Sequence, residues 1–299
     1  MPAPFLLSIH RAAQHHLAVD GGQLAYLDLG PRDGHPVLLL HGIPTSSWLY
    51  RDVAARLAAA GLRAIAPDLL GYGASDKPAE HSLYTPRRQA ERIVALLNHL
   101  GLARVTMAVH DLGGPVGFEI AETSPTRIAG LVVLNTTAYA DAFRPPLQLR
   151  MLGGPLGTPM LAMMASRAGR PMVHDMLAGY THIGRAIDRT VTEGYWRSLQ
   201  EGTTRALRAQ FLDLDAFLAG MSRHAAALRR LDVPATVIWG TADTVLRHER
   251  LVHRFVTDLN IRPEDVHLLP DAGHFLQEDR PADIADLVAK FVRTSAAAR

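Results

Sequence analysis

The 299-residue chain contains no cysteine, which excludes disulfides, thiolate catalysis and cysteine-ligated metal centres. No apolar run reaches transmembrane length, so no membrane span is expected. The stretch Phe5-Leu-Leu-Ser-Ile9 is too short for a secretory signal and no cationic segment precedes it, so the protein is expected to be cytoplasmic. A basic stripe is also missing. The formal charge is only +2, and arginines alternate with acidic residues, which leaves no footprint for nucleic acid or an anionic membrane. The fifteen histidines are scattered, and the adjacent pair His15-His16 leads into a strand, so no metal site is assigned. What remains is an apolar chain, 48% hydrophobic and 20% charged, which can bury a large core and cannot be a disordered one.

Along the chain, His16 to Leu29 contains two runs around Asp20-Gly21-Gly22 and reads as a β-hairpin at a sheet edge. Val37–Leu40 and Arg63–Ala66 read as short buried strands. Trp48 to Ala60 and Arg87 to Leu100 read as helices, the second stopped by Gly101. Val105–Val109 and Ile128–Leu134 continue the alternation, which predicts a parallel sheet covered on both faces. After Thr137 the rhythm breaks. Residues 138–220 carry only helical patterns, interrupted at Pro145-Pro146, Gly153-Gly154-Pro155 and Gly169. They are read as a helical cap inserted after the sixth strand, with residues 1–137 and 221–299 forming one core. Alternation resumes with Val233–Trp239, a helix near Arg247–Leu259, the strand Val266–Leu269 and a last helix from Ala282 to Val292. Six of the nine methionines (151, 160, 163, 164, 172 and 176) fall in the cap, where they either pack helices or roof an apolar pocket.

The chemistry centres on Val109-His110-Asp111-Leu112-Gly113-Gly114, a strand running through a tight turn into a helix. Such a turn is the nucleophile elbow of the α/β-hydrolases, which lifts one side chain above the carboxyl end of the sheet. The lifted residue here is Asp111, the candidate nucleophile; the plainer alternative is that it caps the following helix. In this architecture acid and base follow the nucleophile in chain order. Asp243 follows the Val233–Trp239 strand and is placed to orient a histidine, in preference to the more distant Asp141 after the Ile128–Leu134 strand. His274 follows the last strand and is the candidate general base. His41-Gly42-Ile43-Pro44 follows a strand expected beside the elbow, so the Ile43 and Leu112 backbone N–H groups are the candidate oxyanion hole.

Taken together, His41-Gly-Ile-Pro-Thr-Ser-Ser47, Ala66-Pro-Asp-Leu-Leu-Gly-Tyr-Gly-Ala-Ser-Asp-Lys-Pro78, the elbow and Gly273-His274 resemble the haloalkane dehalogenase and epoxide hydrolase group of α/β-hydrolases. The likeness runs over nearly the whole chain outside the cap. It implies the α/β-hydrolase fold, a mostly parallel central sheet flanked by helices with an inserted cap. It also implies no cofactor and a small apolar substrate, an epoxide or alkyl halide, together with water. The dehalogenases usually place Trp after the nucleophile and a second donor in the H-G-x-P position to hold halide. Here those positions are Leu112 and Ile43, whose side chains donate nothing, and an anion left in an apolar pocket is costly. Epoxide hydrolases use cap tyrosines to protonate the ring oxygen and often carry His before the nucleophile, as His110 does. Tyr180 and Tyr195 are the candidate acids.

An aspartate nucleophile suits displacement at saturated carbon, giving an alkyl ester whose carbonyl belongs to the enzyme. The expected activity is therefore epoxide hydrolysis to vicinal diols, with haloalkane dehalogenation through an atypical halide site as the alternative. A non-catalytic ligand-binding relative is the reading of another class, which the assembled triad disfavours.

Overall fold

A computed structural model describes residues 7–143, 147–182, 187–212 and 214–297, with side chains at all of these but 148, 149 and 297. Pro145-Pro146 and the beginning of the Phe5–Ile9 stretch lie outside the described residues.

Eight strands form one sheet: β1 His15–Val19, β2 Gly22–Leu29, β3 Pro36–Leu40, β4 Arg63–Pro67, β5 Val105–His110, β6 Ile128–Leu134, β7 Ala235–Gly240 and β8 Val266–Leu269. Their order is β1-β2-β4-β3-β5-β6-β7-β8. The expected hairpin β1-β2 is the antiparallel edge and β2 runs antiparallel to β4; every other pairing is parallel. All parallel strands therefore end at one edge, where their loops converge.

Alternate residues of the strands feed two cores. Val37 and Leu39 of β3, with Val132 and Leu134 of β6, face α2 (Arg51–Ala59) and α13 (Pro281–Ala297). Leu38 and Leu40, with Leu131 and Val133, face the opposite layer. That layer is built from α3 (Pro86–His99), α4 (Gly113–Thr123), α10 (Leu214–Arg229) and α11 (His248–Asp258). Burial on both faces explains why these strands read as continuous apolar runs rather than as alternating ones. A short helix, α1 (Leu7–Ala12), packs on the outside of the cap, and its His10 ring meets Trp48 edge-on.

Between β6 and β7 no described residue forms a strand, in line with the sequence. The insertion holds α5 (Leu147–Leu152), α6 (Gly157–Ala165), α7 (Arg170–Ala178), α8 (Arg189–Ser198) and α9 (Thr204–Leu212). The sequence boundary at 220/221 falls inside α10. That helix runs to Arg229 and docks on α4, with His224 hydrogen-bonded to Glu119 at 2.9 Å and packed against Phe118. It carries no glycine or proline break strong enough to end its pattern, and its docking is tertiary.

Candidate active site

At the end of β5 the chain turns through Asp111 at φ 49°, a left-handed conformation that an aspartate adopts only when its surroundings impose it. The turn is held by three bonds. Asp111 N–H donates to Asn135 O (3.1 Å), while Thr136 Oγ1 (2.6 Å) and Gly114 N–H (3.0 Å) donate to Asp111 O. Gly114 is required here because a β-carbon would overlap Thr136, and Gly42 because one would overlap the Asp111 carboxylate itself. These close approaches lift the carboxylate clear of the sheet and aim it at the cap.

One oxygen of that carboxylate, Oδ1, accepts the Ile43 N–H at 2.8 Å. The Leu112 N–H at the head of α4 donates to no described residue and stands on the same turn. The other oxygen, Oδ2, lies 3.4 Å from His274 Nε2. On the far side of the imidazole, His274 Nδ1 donates to Asp243 Oδ2 at 2.8 Å. Asp243 is anchored through Oδ1 by the Val245 and Leu246 N–H groups at 2.7 and 2.9 Å. The structure thus brings Asp111, His274, Asp243, Ile43 and Leu112 together. Asp141 is elsewhere, exposed and paired with Arg254 at 2.7 Å.

Burial opposes every charge in this group, but the charges outweigh it by stabilising one another. Burial alone would raise the Asp111 and Asp243 carboxyls, yet the His274 imidazolium and the local N–H donors hold both below the ordinary aspartate value. Burial alone would lower His274, yet Asp243 and Asp111 raise it to about 10. The resting site is therefore a carboxylate–imidazolium–carboxylate array at neutral pH. Replacing Asp111 with Asn removes one of the two carboxylates, so His274 should titrate well below 10 in that variant, read by NMR of its ring protons. An unchanged value near 10 would contradict the array. The linkage has a definite sign: the stability that His274 contributes is complete below about pH 6.5 and is lost as pH rises through about 10. The Asn variant should lose that stability at lower pH.

Asn135 escaped the sequence reading of the site, and His110, noted there as the residue before Asp111, was given no structural role. Asn135, at φ 27° directly after β6, donates from Nδ2 to Asp243 Oδ2 (2.7 Å) and to Gly240 O (3.2 Å), and it accepts Gly240 N–H on Oδ1 (2.9 Å). It fixes the acid from the neighbouring strand end, and the strand-end rule that found Asp111 and Asp243 points to it equally. His110, pushed down to about 4 by burial, stays neutral and meets the His274 carbonyl at 2.9 Å, tying the base's loop to the elbow strand.

The two candidate acids part company. Tyr180 lies with its ring edge against His274, centroids 5.8 Å apart. Its carbonyl accepts the Phe275 N–H, and its hydroxyl bonds to no described residue. Burial first, then Asp111 and Asp243, raise its pKa and keep the hydroxyl protonated. Tyr195 corrects the expectation placed on it. It is buried and stacked on Phe275, and its hydroxyl donates to Glu278, whose two oxygens each accept from Arg51 at 2.6 Å. Its proton is committed to that ion pair and not held out for a ring oxygen beside Asp111.

Of the two readings of the cap methionines, helix packing is the one that fits. The cavity over Asp111 is lined by Ile43, Leu112, Phe143, Phe217 and Met221, among others, and by none of the six cap methionines. Met163 and Met172 are exposed, while Met160, Met164 and Met176 pack into the apolar core.

Residues 37–287 match the alpha/beta hydrolase family. A haloalkane dehalogenase of Mycolicibacterium paratuberculosis is 34% identical over 276 residues, covering 89% of this chain and 86% of that one. The crystal structure of haloalkane dehalogenase DbeA from Bradyrhizobium elkani superposes with a TM-score of 0.81 at 26% identity, over 96% of this chain and 99% of that one. The epoxide hydrolase CorEH shares the fold with a TM-score of 0.75 at 23% identity, over 94% and 98% of the two chains. This chain is accordingly a hydrolase of the α/β-hydrolase family, within its haloalkane dehalogenase and epoxide hydrolase group.

Proposed function

We propose that the protein hydrolyses epoxides to diols through an alkyl ester on Asp111. Asp111 Oδ2 attacks a ring carbon, the carbon–oxygen bond breaks, and Tyr180 protonates the departing oxygen. Tyr180 recovers its proton from the His274 imidazolium against which it packs. His274 is then neutral, and with Asp111 esterified it has lost one of the carboxylates that held its proton. It now accepts a proton from water as the water attacks Asp111 Cγ. The Ile43 and Leu112 N–H groups receive the charge that develops on Oδ1. Collapse of the tetrahedral intermediate expels the diol oxygen, which takes up the proton of the new carboxylic acid. Asp111 carboxylate and His274 imidazolium are restored, with one water consumed and no net proton released.

The observation that carries this reading is the placement of Tyr180, whose hydroxyl bonds to no described residue and whose ring lies against His274 beside the Asp111 carboxylate, where it can supply the proton an epoxide oxygen needs and a halide does not. The second reading, dehalogenation, is favoured by the name of the 34%-identical relative but requires halide to leave past Leu112 and Ile43, whose side chains have no donor. Styrene oxide and 1-bromobutane, assayed side by side for diol and bromide, separate the two. Diol formation should exceed bromide release at least tenfold in kcat/KM. Rapid bromide release without diol would overturn the epoxide reading.

A further inference from the structure

The cavity that holds the Asp111 carboxylate is small, about 40 Å³. That is room for roughly three water molecules, whereas sites for small organic ligands ordinarily reach several hundred Å³. An epoxide ring fits it, and a substituent of any length does not. The missing room lies next door. Gln210 of α9 and Phe217 of α10 line this cavity on one side and, on the other, a cleft of about 210 Å³. These two side chains are the partition between the chambers. Beyond them the cleft is walled by Tyr84, Ala209, Ala216 and Gly220 and reaches solvent at the exposed Arg87 and Arg223. Both cations pair with the buried Glu119, at 3.5 and 3.1 Å, and Arg87 also reaches Glu91 at 3.3 Å. The mouth is therefore close to neutral, which suits an uncharged occupant.

We propose that the cavity and the cleft are one substrate site, in which the epoxide carbons lie over Asp111 and an uncharged alkyl or aryl substituent passes between Gln210 and Phe217 into the outer cleft. The assignment rests on the covalent reading above and narrows its substrate class to terminal epoxides that carry a chain or a ring. Phe217 is only half-buried, and its side chain has the cleft to turn into. The substituent touches nothing that reacts. Burying it still holds the ring over Asp111, and binding energy gained far from the breaking bond can be spent on breaking it. Each buried methylene should be worth about two- to fourfold in kcat/KM. Gly220 gives a way to test the cleft without touching the inner chamber. It lies three residues beyond Phe217 on α10, and a β-carbon there would meet only Arg223 Nη2 at 3.7 Å and His224 Cε1 at 4.0 Å, so a larger side chain enters the cleft without displacing the helix.

Diol formation from 1,2-epoxybutane, 1,2-epoxyhexane and 1,2-epoxyoctane tests the shared site. In the parent, kcat/KM should climb with chain length, by about ten- to a hundredfold from the shortest to the longest. Gly220→Leu narrows the cleft and should cut the epoxyoctane-to-epoxybutane ratio by about tenfold. Phe217→Ala widens the passage and should raise the ratio of styrene oxide to epoxybutane. Each ratio is internal to one protein, so a partly unfolded variant does not distort it. A parent rate that fails to rise with chain length, a rise that survives Gly220→Leu, or an unchanged or lower styrene oxide ratio in Phe217→Ala would overturn the shared site and leave the covalent reading standing. No diol from any of these epoxides would overturn the epoxide reading and this assignment with it.

Discussion

Replacing His274 with Ala should abolish steady-state turnover, by about 10²- to 10⁴-fold, while leaving the alkyl group of the first substrate attached to Asp111. The asymmetry follows from the two oxygens of Asp111. In the proposed mechanism Oδ2, which faces His274 Nε2 at 3.4 Å, attacks carbon, whereas Oδ1 already rests on the Ile43 N–H and becomes the ester carbonyl oxygen. Ester formation needs no base, since a carboxylate held below its ordinary pKa is the nucleophile as it stands. Ester hydrolysis does need one, because only a base at Nε2 can take the proton of a water attacking Cγ. Intact-protein mass should show the adduct, and peptide mapping should place it on Asp111. The parent enzyme gives the complementary result in heavy-oxygen water with enzyme in excess. One solvent oxygen should enter the Asp111 carboxylate, and the first equivalent of diol should carry none at its new hydroxyl. Label confined to product would mean that water attacks the substrate directly and that Asp111 acts only as a base. Normal turnover by the His274→Ala variant with no adduct would remove His274 from the mechanism.

Arg51→Met should destabilise the fold by about 3–5 kcal/mol, an effect as large as any in the site although Arg51 touches none of the reacting atoms. Arg51 is 7% exposed and grips Glu278 through two nitrogens at 2.6 Å. Its third contact is the Trp48 carbonyl at 2.9 Å, and its guanidinium lies over the Trp48 ring at 4.7 Å. Removing the cation leaves the Glu278 carboxylate buried with, among the described residues, only the Tyr195 hydroxyl as partner. The loss therefore measures a stranded charge more than the worth of the pair. Adding Glu278→Gln should accordingly recover a large part of it. Chemical denaturation of the parent, both single variants and the double variant closes the cycle. A loss below about 1 kcal/mol for Arg51→Met would show that solvent reaches Glu278 and that the cluster is not a buried one. Because Glu278 lies on α12 (Leu276–Asp279), just after His274, and Tyr195 on α8, the same cluster clamps the cap to the loop of the base.

The residues that sequence located share one property: each stands at the end of a parallel strand. Short apolar runs mark β3, β5, β7 and β8, so the polar residues that follow them (Ile43's loop, Asp111, Asp243 and His274) are legible from the chain alone, and the parallel sheet gathers them. Asn135 obeys the same rule after β6 and was legible too, but an amide draws less notice than a carboxylate or an imidazole. What the chain did not disclose lies in the cap. The choice between Tyr180 and Tyr195 depends on Glu278, which meets Tyr195 across 83 residues of sequence. Methionine content likewise says that a helix is apolar, not which side of it meets the pocket.

The insertion between β6 and β7 also sets an order of assembly. Asp111 and the Ile43 loop belong to strands that pair with near neighbours, whereas Asn135 reaches Asp243 across 108 residues and His110 reaches His274 across 164. Contacts of that span are the last to be recovered in folding, because the entropy of closing the intervening loop must be overcome first. β7 and β8 extend the sheet at β6 only once the whole cap has been bypassed. A chain emerging from the ribosome therefore carries Asp111 long before Asp243 and His274 exist, so the array in which these groups hold one another's charge can form only after β7 and β8 have joined the sheet.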